Sequence, residues 1–301
     1  MLTDKKSALI ILRGGALSAA FSFIVFVTPI FGVIFHFLAL APLFYVGLRL
    51  RLNGFVAASL FPLSGIVAAA GILGGLTFLL TCIVPSILVL YWHFCKKGRN
   101  FSYSRTEILH NFSKLILAGV IGLLFFVWVS NRDILSIFGM DSENIKRLGN
   151  ISPATNNVIE LLPGVSSFLL MLMIWLNYQI AYAFSLKVQK IRAIDHTIKS
   201  LPNFWDIALV GSLWLYLLQK LVLHSSILNI ASKTILCVSF FPLMVEGLDI
   251  LRLMARFYKI SALVYFITLS FVFLLVWPMV FVVALGLVEP WYGLKQRYIK
   301  S

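Results

Sequence analysis

Three ionisable residues stand at intervals of three near the end of a long apolar run: Glu246, Asp249 and Arg252. At that spacing they drift slowly around one face of a helix. A carboxylate at bilayer depth costs about 2.5–3.5 kcal/mol on insertion scales, so it persists where it faces a polar interior, pairs with a cation or carries out a task. Two cations are candidates for Glu246: Arg13, a few residues inside the first apolar run, and Lys233. Gly247 beside it would let another helix approach closely. The structural alternative is that the run ends near Val245, which leaves all three residues in headgroups or water with Arg256 and Lys259, while Arg13 snorkels back to the interface.

Asn177, Tyr178 and Gln179 form a second polar cluster inside an apolar run. Three adjacent side chains point in three directions, so at least one of them faces protein or water. Hydrogen bonds between helices account for this without a ligand, and a ligand contact is the sharper alternative. Lys220, His224 and Lys233 gather around a turn, where an interfacial position explains them. His36 and His110, the latter in a polar loop, have no second metal ligand in register, and Cys82, Cys95 and Cys237 have no CxxC spacing, so neither a metal nor a cofactor is expected. HExxH, GxSxG and phosphate-loop motifs are missing, which argues against an enzyme.

These residues sit in an unusually apolar chain. Of 301 residues, 60% are hydrophobic and 12% charged, against about 45–50% and about 25% in soluble domains. Too little polar surface remains to cover a water-facing core, whereas lipid-facing helices need none. The apolar runs are continuous and lack the period-2 alternation of membrane strands. The expectation is an all-α, polytopic helix bundle, a single integral membrane domain over 1–301, with spans near 7–27, 31–48, 55–71, 75–94, 115–130, 163–188, 205–223, 227–251 and 260–287. The start resembles a signal peptide, but its apolar character continues to Val27, which favours an uncleaved first helix.

The excess of 25 Lys+Arg over 11 Asp+Glu is carried by short segments between the runs. That distribution orients a membrane protein and argues for anionic lipid headgroups as the charge partner, with no nucleic acid. Lys5, Lys6 and Arg13, then Arg49 and Arg51, then 96–105, 187–199 and 252–259 all fall on one side when the spans alternate, so that side and the N-terminus are expected in the cytoplasm. The tail carries Lys295, Arg297 and Lys300 and conflicts with nine crossings. The region after Pro278 could be re-entrant, which leaves the count at eight or nine. The polar stretch 131–160 is expected outside, with Ile134, Leu135, Ile137 and Phe138 at helical offsets.

Two regions carry a family resemblance. In 38–94 an apolar helix ending in Ala41-Pro42-Leu43 meets a short basic turn, then Gly54 opens a helix of small residues. The C-terminal third reads FPLMVEGLD from Phe241 and ALGLVEPWYGLKQR from Ala284. Together these resemble the YybS-like family of bacterial membrane proteins, which has no assigned function. The chain departs from that pattern with Glu246 where Gln is usual and with Pro290 before Trp291. The family is distantly similar to the substrate-binding subunits of energy-coupling-factor transporters, which bind a vitamin or metal within a small bundle. Those subunits dock on a partner through small residues of the first helix, a role the resemblance would give to Ala16 and Ala20.

Three functions follow as expectations. The first is a small-solute-binding or transport-associated subunit of the bacterial inner membrane. The second is a non-transporting scaffold or assembly factor that acts on other membrane subunits. The third is an intramembrane enzyme. The candidate polar site is Glu246, Asp249, Arg13, Asn177 and Gln179.

Overall fold

The computed structural model describes residues 5–28, 35–95, 105–130, 153–189, 203–223, 226–261, 264–265, 267, 270 and 276–300. The expected surface segment 134–138, the basic segments 96–104 and 190–202, and His224 lie outside them. Among the described residues every regular element is helical: α1 (Lys5–Val27), α2 (Leu40–Phe78), α3 (Val84–Cys95), α4 (Arg105–Ser130), α5 (Pro153–Gln189), α6 (Phe204–Leu218), α7 (Ser226–Phe257), α8 (Val276–Tyr292) and α9 (Leu294–Lys300). Single π turns, Leu79–Ile83 and Gln219–Leu223, extend α2 into α3 and prolong α6.

Five described helical runs are long and apolar enough to cross a membrane: Lys5–Ile24, Phe35–Phe94, Glu160–Ser185, Phe204–Val222 and Leu228–Phe257. Their outward faces suit lipid, with Ile72 82% and Leu73 77% exposed. Side chains of that size and exposure would form sticky patches in water.

The run Phe35–Phe94 holds 60 residues, which as one straight helix would be about 90 Å long, three times a hydrocarbon core of ~30 Å. It folds back twice. Arg51 has φ 63° and ψ −168°, and Gly71 has φ 75° and ψ −180°, both outside helical geometry. A Cβ on Gly47 would lie 3.2 Å from Cβ of Phe55, and one on Gly75 would lie 2.2 Å from a methyl of Val67. Residues eight apart in a continuous helix are ~12 Å apart along the axis. Both contacts therefore need hairpins, one at Arg51 and one at Gly71, as the short basic turn and the gap between the expected spans 55–71 and 75–94 foreshadow.

The chain groups into two units, residues 1–108 with 170–197 and residues 109–169 with 198–301. In the first, α1 packs on both arms of the Arg51 hairpin. A Cβ on Gly14 would strike Val46 and approach the Pro42 carbonyl, while Gly15 sits against Ala58 and Phe61, and Gly65 against Phe23. The core is aromatic. Phe44 packs on Phe55 and edge-on to Tyr178, which stacks with Tyr182.

In the second unit α7 is central, with Phe241, Leu243 and Met244 buried. The helix α8 runs antiparallel to it at backbone distance. A Cβ on Gly247 would lie 1.9 Å from the Val282 carbonyl oxygen, and one on Gly286 would lie 2.0 Å from that of Leu243. Gly293, with φ 57°, ends α8 and turns the chain, so that Tyr298 of α9 returns to Phe257 at the end of α7 with ring centroids 5.5 Å apart.

Two sequence readings change at element ends. Residues 153–160 are the first turns of α5 rather than a loop, and Glu160 is fixed there by α7. His110 lies on α4, not in a loop, because the buried Ile108, Leu109 and Phe112 carry a helical apolar face N-terminal to the span.

Candidate functional site

In the second unit Glu246 is fully buried, and its cation is neither Arg13 nor Lys233. The Lys295 ammonium lies 2.7 Å from a Glu246 carboxylate oxygen, with Lys295 itself 2% exposed. The backbone explains the pairing. The glycine crossing brings α8 onto α7, and Gly293 reverses the chain. The Lys295 backbone N–H then donates to the Glu289 carboxylate at 3.1 Å. One acid thus fixes the Lys295 main chain and another fixes its side chain. Asp249 is half-buried and Arg252 exposed, so the row of three leaves the interior turn by turn.

Lys233 instead pairs with Glu160, whose same oxygen accepts from the Asn229 amide at 2.6 Å. Neither Lys295 nor Glu160 stood out in the sequence. The signal for Lys295 was a glycine two residues before it at the end of an apolar helix, a position where chains commonly turn. Asp206, also missed, is buried in the first turn of α6, where the helix dipole favours a carboxylate.

In the first unit Asn177 is buried, and its amide donates to the carbonyls of Phe37 at 2.6 Å and Met173 at 2.7 Å. Ala39 keeps helical φ/ψ, and Pro42 has no N–H to offer the Leu38 carbonyl one turn earlier, so the backbone ladder is incomplete here. Side-chain donors reach the carbonyls on either side of Leu38. Asn177 serves Phe37, and the Ser18 hydroxyl serves Ala39 at 2.7 Å. Tyr178 is held by His93, 2.9 Å from its hydroxyl. Gln179 is half-buried beside them. The bonds to Phe37 and His93 tie α5 to other helical segments, while the one to Met173 stays within α5.

Arg13 and Ala16 are exposed, as is Ala20, while Gly15, Ser18 and Ser22 form the packed side of α1. Arg13 borders a half-open cleft of about 560 Å³ in the first unit, lined by Leu17, Phe21, Pro42, Ile180 and Phe184 and ending at Arg49. Its volume lies within the ~300–1,000 Å³ usual for small-ligand sites. The structure thus separates the candidate polar residues into three places. Arg13 is at a cleft, Asn177 and Gln179 are on α5, with Asn177 facing Phe37, and Glu246 and Asp249 are at the α7–α8 crossing.

No group of three His, Cys, Asp or Glu that could hold a metal occurs among the described residues. On α4, His110 accepts a hydrogen bond from the Trp205 indole at 2.9 Å through Nδ1, and burial beside Lys114 lowers its pKa to about 4. No family model, curated protein or solved structure matches this chain.

Proposed function

We propose that this chain is a multi-pass protein of the bacterial inner membrane, with its N-terminus in the cytoplasm, whose first unit binds a small solute and which does no covalent chemistry. The cleft beside α1 carries the reading: a sizeable cavity, an apolar wall and two arginines outside the ion pairs of the described residues coincide there. Glu246 is engaged by Lys295, and the Asn177 amide N–H groups by the Phe37 and Met173 carbonyls, which argues against a reacting centre at either.

Eight crossings fit best. Hairpins at Arg51 and Gly71 divide the run Phe35–Phe94 into three. The antiparallel α8 and the return of Tyr298 to Phe257 bring the tail back to the α7 end that carries Arg252, Arg256 and Lys259. A re-entrant C-terminal segment reconciles the basic tail with a cytoplasmic location. In a chain freed of its native cysteines, Ser104→Cys and Ser301→Cys are expected to resist an impermeant maleimide applied to intact cells. Strong labelling of either overturns this topology.

Purification in mild detergent with mass spectrometry of what accompanies the protein tests the binding reading. A small molecule is expected, and Leu17→Trp, which fills the cleft, should remove it. The scaffold reading draws on the exposure of Ala16 and Ala20. Its signature is a co-purifying membrane protein that is lost on Ala16→Leu or Ala20→Leu.

A further inference from the structure

The cleft in the first unit has a polarity along its length. The register of α1 on the first arm of α2 is fixed by Gly14 against Pro42 and Val46 and by the Ser18 hydroxyl on Ala39. The two helices are antiparallel, and Arg13 lies level with Tyr45. Arg49 stands one turn further toward the same end, its guanidinium 5.1 Å from the Tyr45 ring centre. Both arginines therefore sit toward one end of a cleft whose other lining includes Leu17, Phe21, Pro42, Ile180 and Phe184. From Arg13 to Phe21 the distance along the helix is about 12 Å, close to half of a ~30 Å hydrocarbon core.

The charged end is incomplete as it stands. The ion pairs among the described residues are Lys233 with Glu160 and Lys295 with Glu246, and neither arginine takes part. The Nε of Arg49 is buried with no hydrogen-bond partner. A donor in that state costs free energy until an acceptor reaches it. A neutral solute would leave that donor and two charges unmet, and a soluble anion would leave the apolar wall without an occupant. Guanidinium groups match phosphate oxygens in a planar fork, and the cytoplasmic leaflet supplies anionic headgroups.

Resting on the solute-binding reading above, we propose that this cleft binds one acyl chain of an anionic phospholipid, with its phosphate on Arg13 and Arg49 and the chain running along Leu17 and Phe21. The cleft is half-open, so the lipid enters sideways from its own leaflet.

The test is native mass spectrometry of the full-length protein, titrated with dioleoyl phosphatidic acid, dioleoyl phosphatidylglycerol and dioleoyl phosphatidylcholine. The first bound lipid should favour the two anionic species by about tenfold. Arg13→Gln with Arg49→Gln should bring all three lipids to similar affinity. Arg49→Lys, which keeps the charge and loses the fork, should give a partial loss and serves where the double variant does not fold. Millimolar glycerol 3-phosphate should not displace the lipid. Equal affinities in the wild type, a preference that survives the double substitution, or displacement by glycerol 3-phosphate each overturn the proposal. If a different small molecule accompanies the wild type and is lost in Leu17→Trp, the lipid assignment falls and solute binding stands. If Leu17→Trp changes nothing that co-purifies, both fall.

Discussion

Lys295 and Glu246 are 49 positions apart in sequence and 2.7 Å apart in the structure, both closed off from solvent. The pair locks the C-terminal segment onto the central helix of its unit. Removing one partner of such a pair leaves the other charge buried and costs about 3–5 kcal/mol, whereas replacing both by apolar residues of similar volume is often neutral. Glu246→Ala and Lys295→Met are each expected to lower the unfolding temperature and reduce accumulation in the membrane. Glu246→Gln should also be costly, because it strands the ammonium of Lys295. The double variant Glu246→Gln with Lys295→Met should recover most of the loss. Thermal unfolding in detergent measures all four, and additive losses in the double variant would break the coupling.

The α7–α8 crossing tolerates only hydrogen at two positions. Gly247→Ala and Gly286→Ala place a methyl within about 2 Å of a carbonyl oxygen on the facing helix. The backbone must shift, so losses of about 2 kcal/mol or more are expected. Gly119→Ala and Gly211→Ala, in the same unit, meet open space and serve as controls. They should be neutral or slightly stabilising, since alanine favours the helix. Thermal unfolding that ranks the controls with the crossing variants would contradict the close approach.

The two hairpins use the same backbone region with different residues. Gly71 adopts it freely, while Arg51 holds it at a cost of about 1–3 kcal/mol. Arg51→Gly should raise the unfolding temperature, and Gly71→Val should lower it. An opposite ranking in thermal unfolding would argue against a turn at Arg51.

His110 must be neutral at Nδ1 to accept the Trp205 N–H. Its pKa falls from the ordinary 6.5 to about 4, through burial first and the Lys114 charge second. A depressed folded value means that the unfolded chain takes up the proton first as pH drops. The stability due to His110 is thus complete above about pH 6.5 and lost as pH falls toward 4. The difference in unfolding temperature between wild type and His110→Phe should shrink over that interval. A constant difference would show that His110 does not titrate in this way.

Composition and run length alone determined that the chain is helical and suited to a bilayer. A segment without water must close its own hydrogen bonds, and 60% hydrophobic content leaves few other solutions. The turn at Gly71 was legible because glycine marks the backbone geometry it needs, and the turn near Arg51 because basic residues interrupted the run. The cost of a buried carboxylate marked Glu246 as a residue in need of explanation. Its partner was not legible. Candidate cations at Arg13 and Lys233 looked as good by sequence, and the choice of Lys295 depended on two glycines meeting two carbonyls across a helix crossing. Likewise Asn177 read as polar, but one of its acceptors is a carbonyl 140 residues away that only tertiary packing brings within reach. Arg49 read as an orienting charge. Only the packing of α1 on α2 puts it with Arg13 at the end of an apolar cleft, because periodicity assigns a residue to a helix face and leaves open which helix lies against that face.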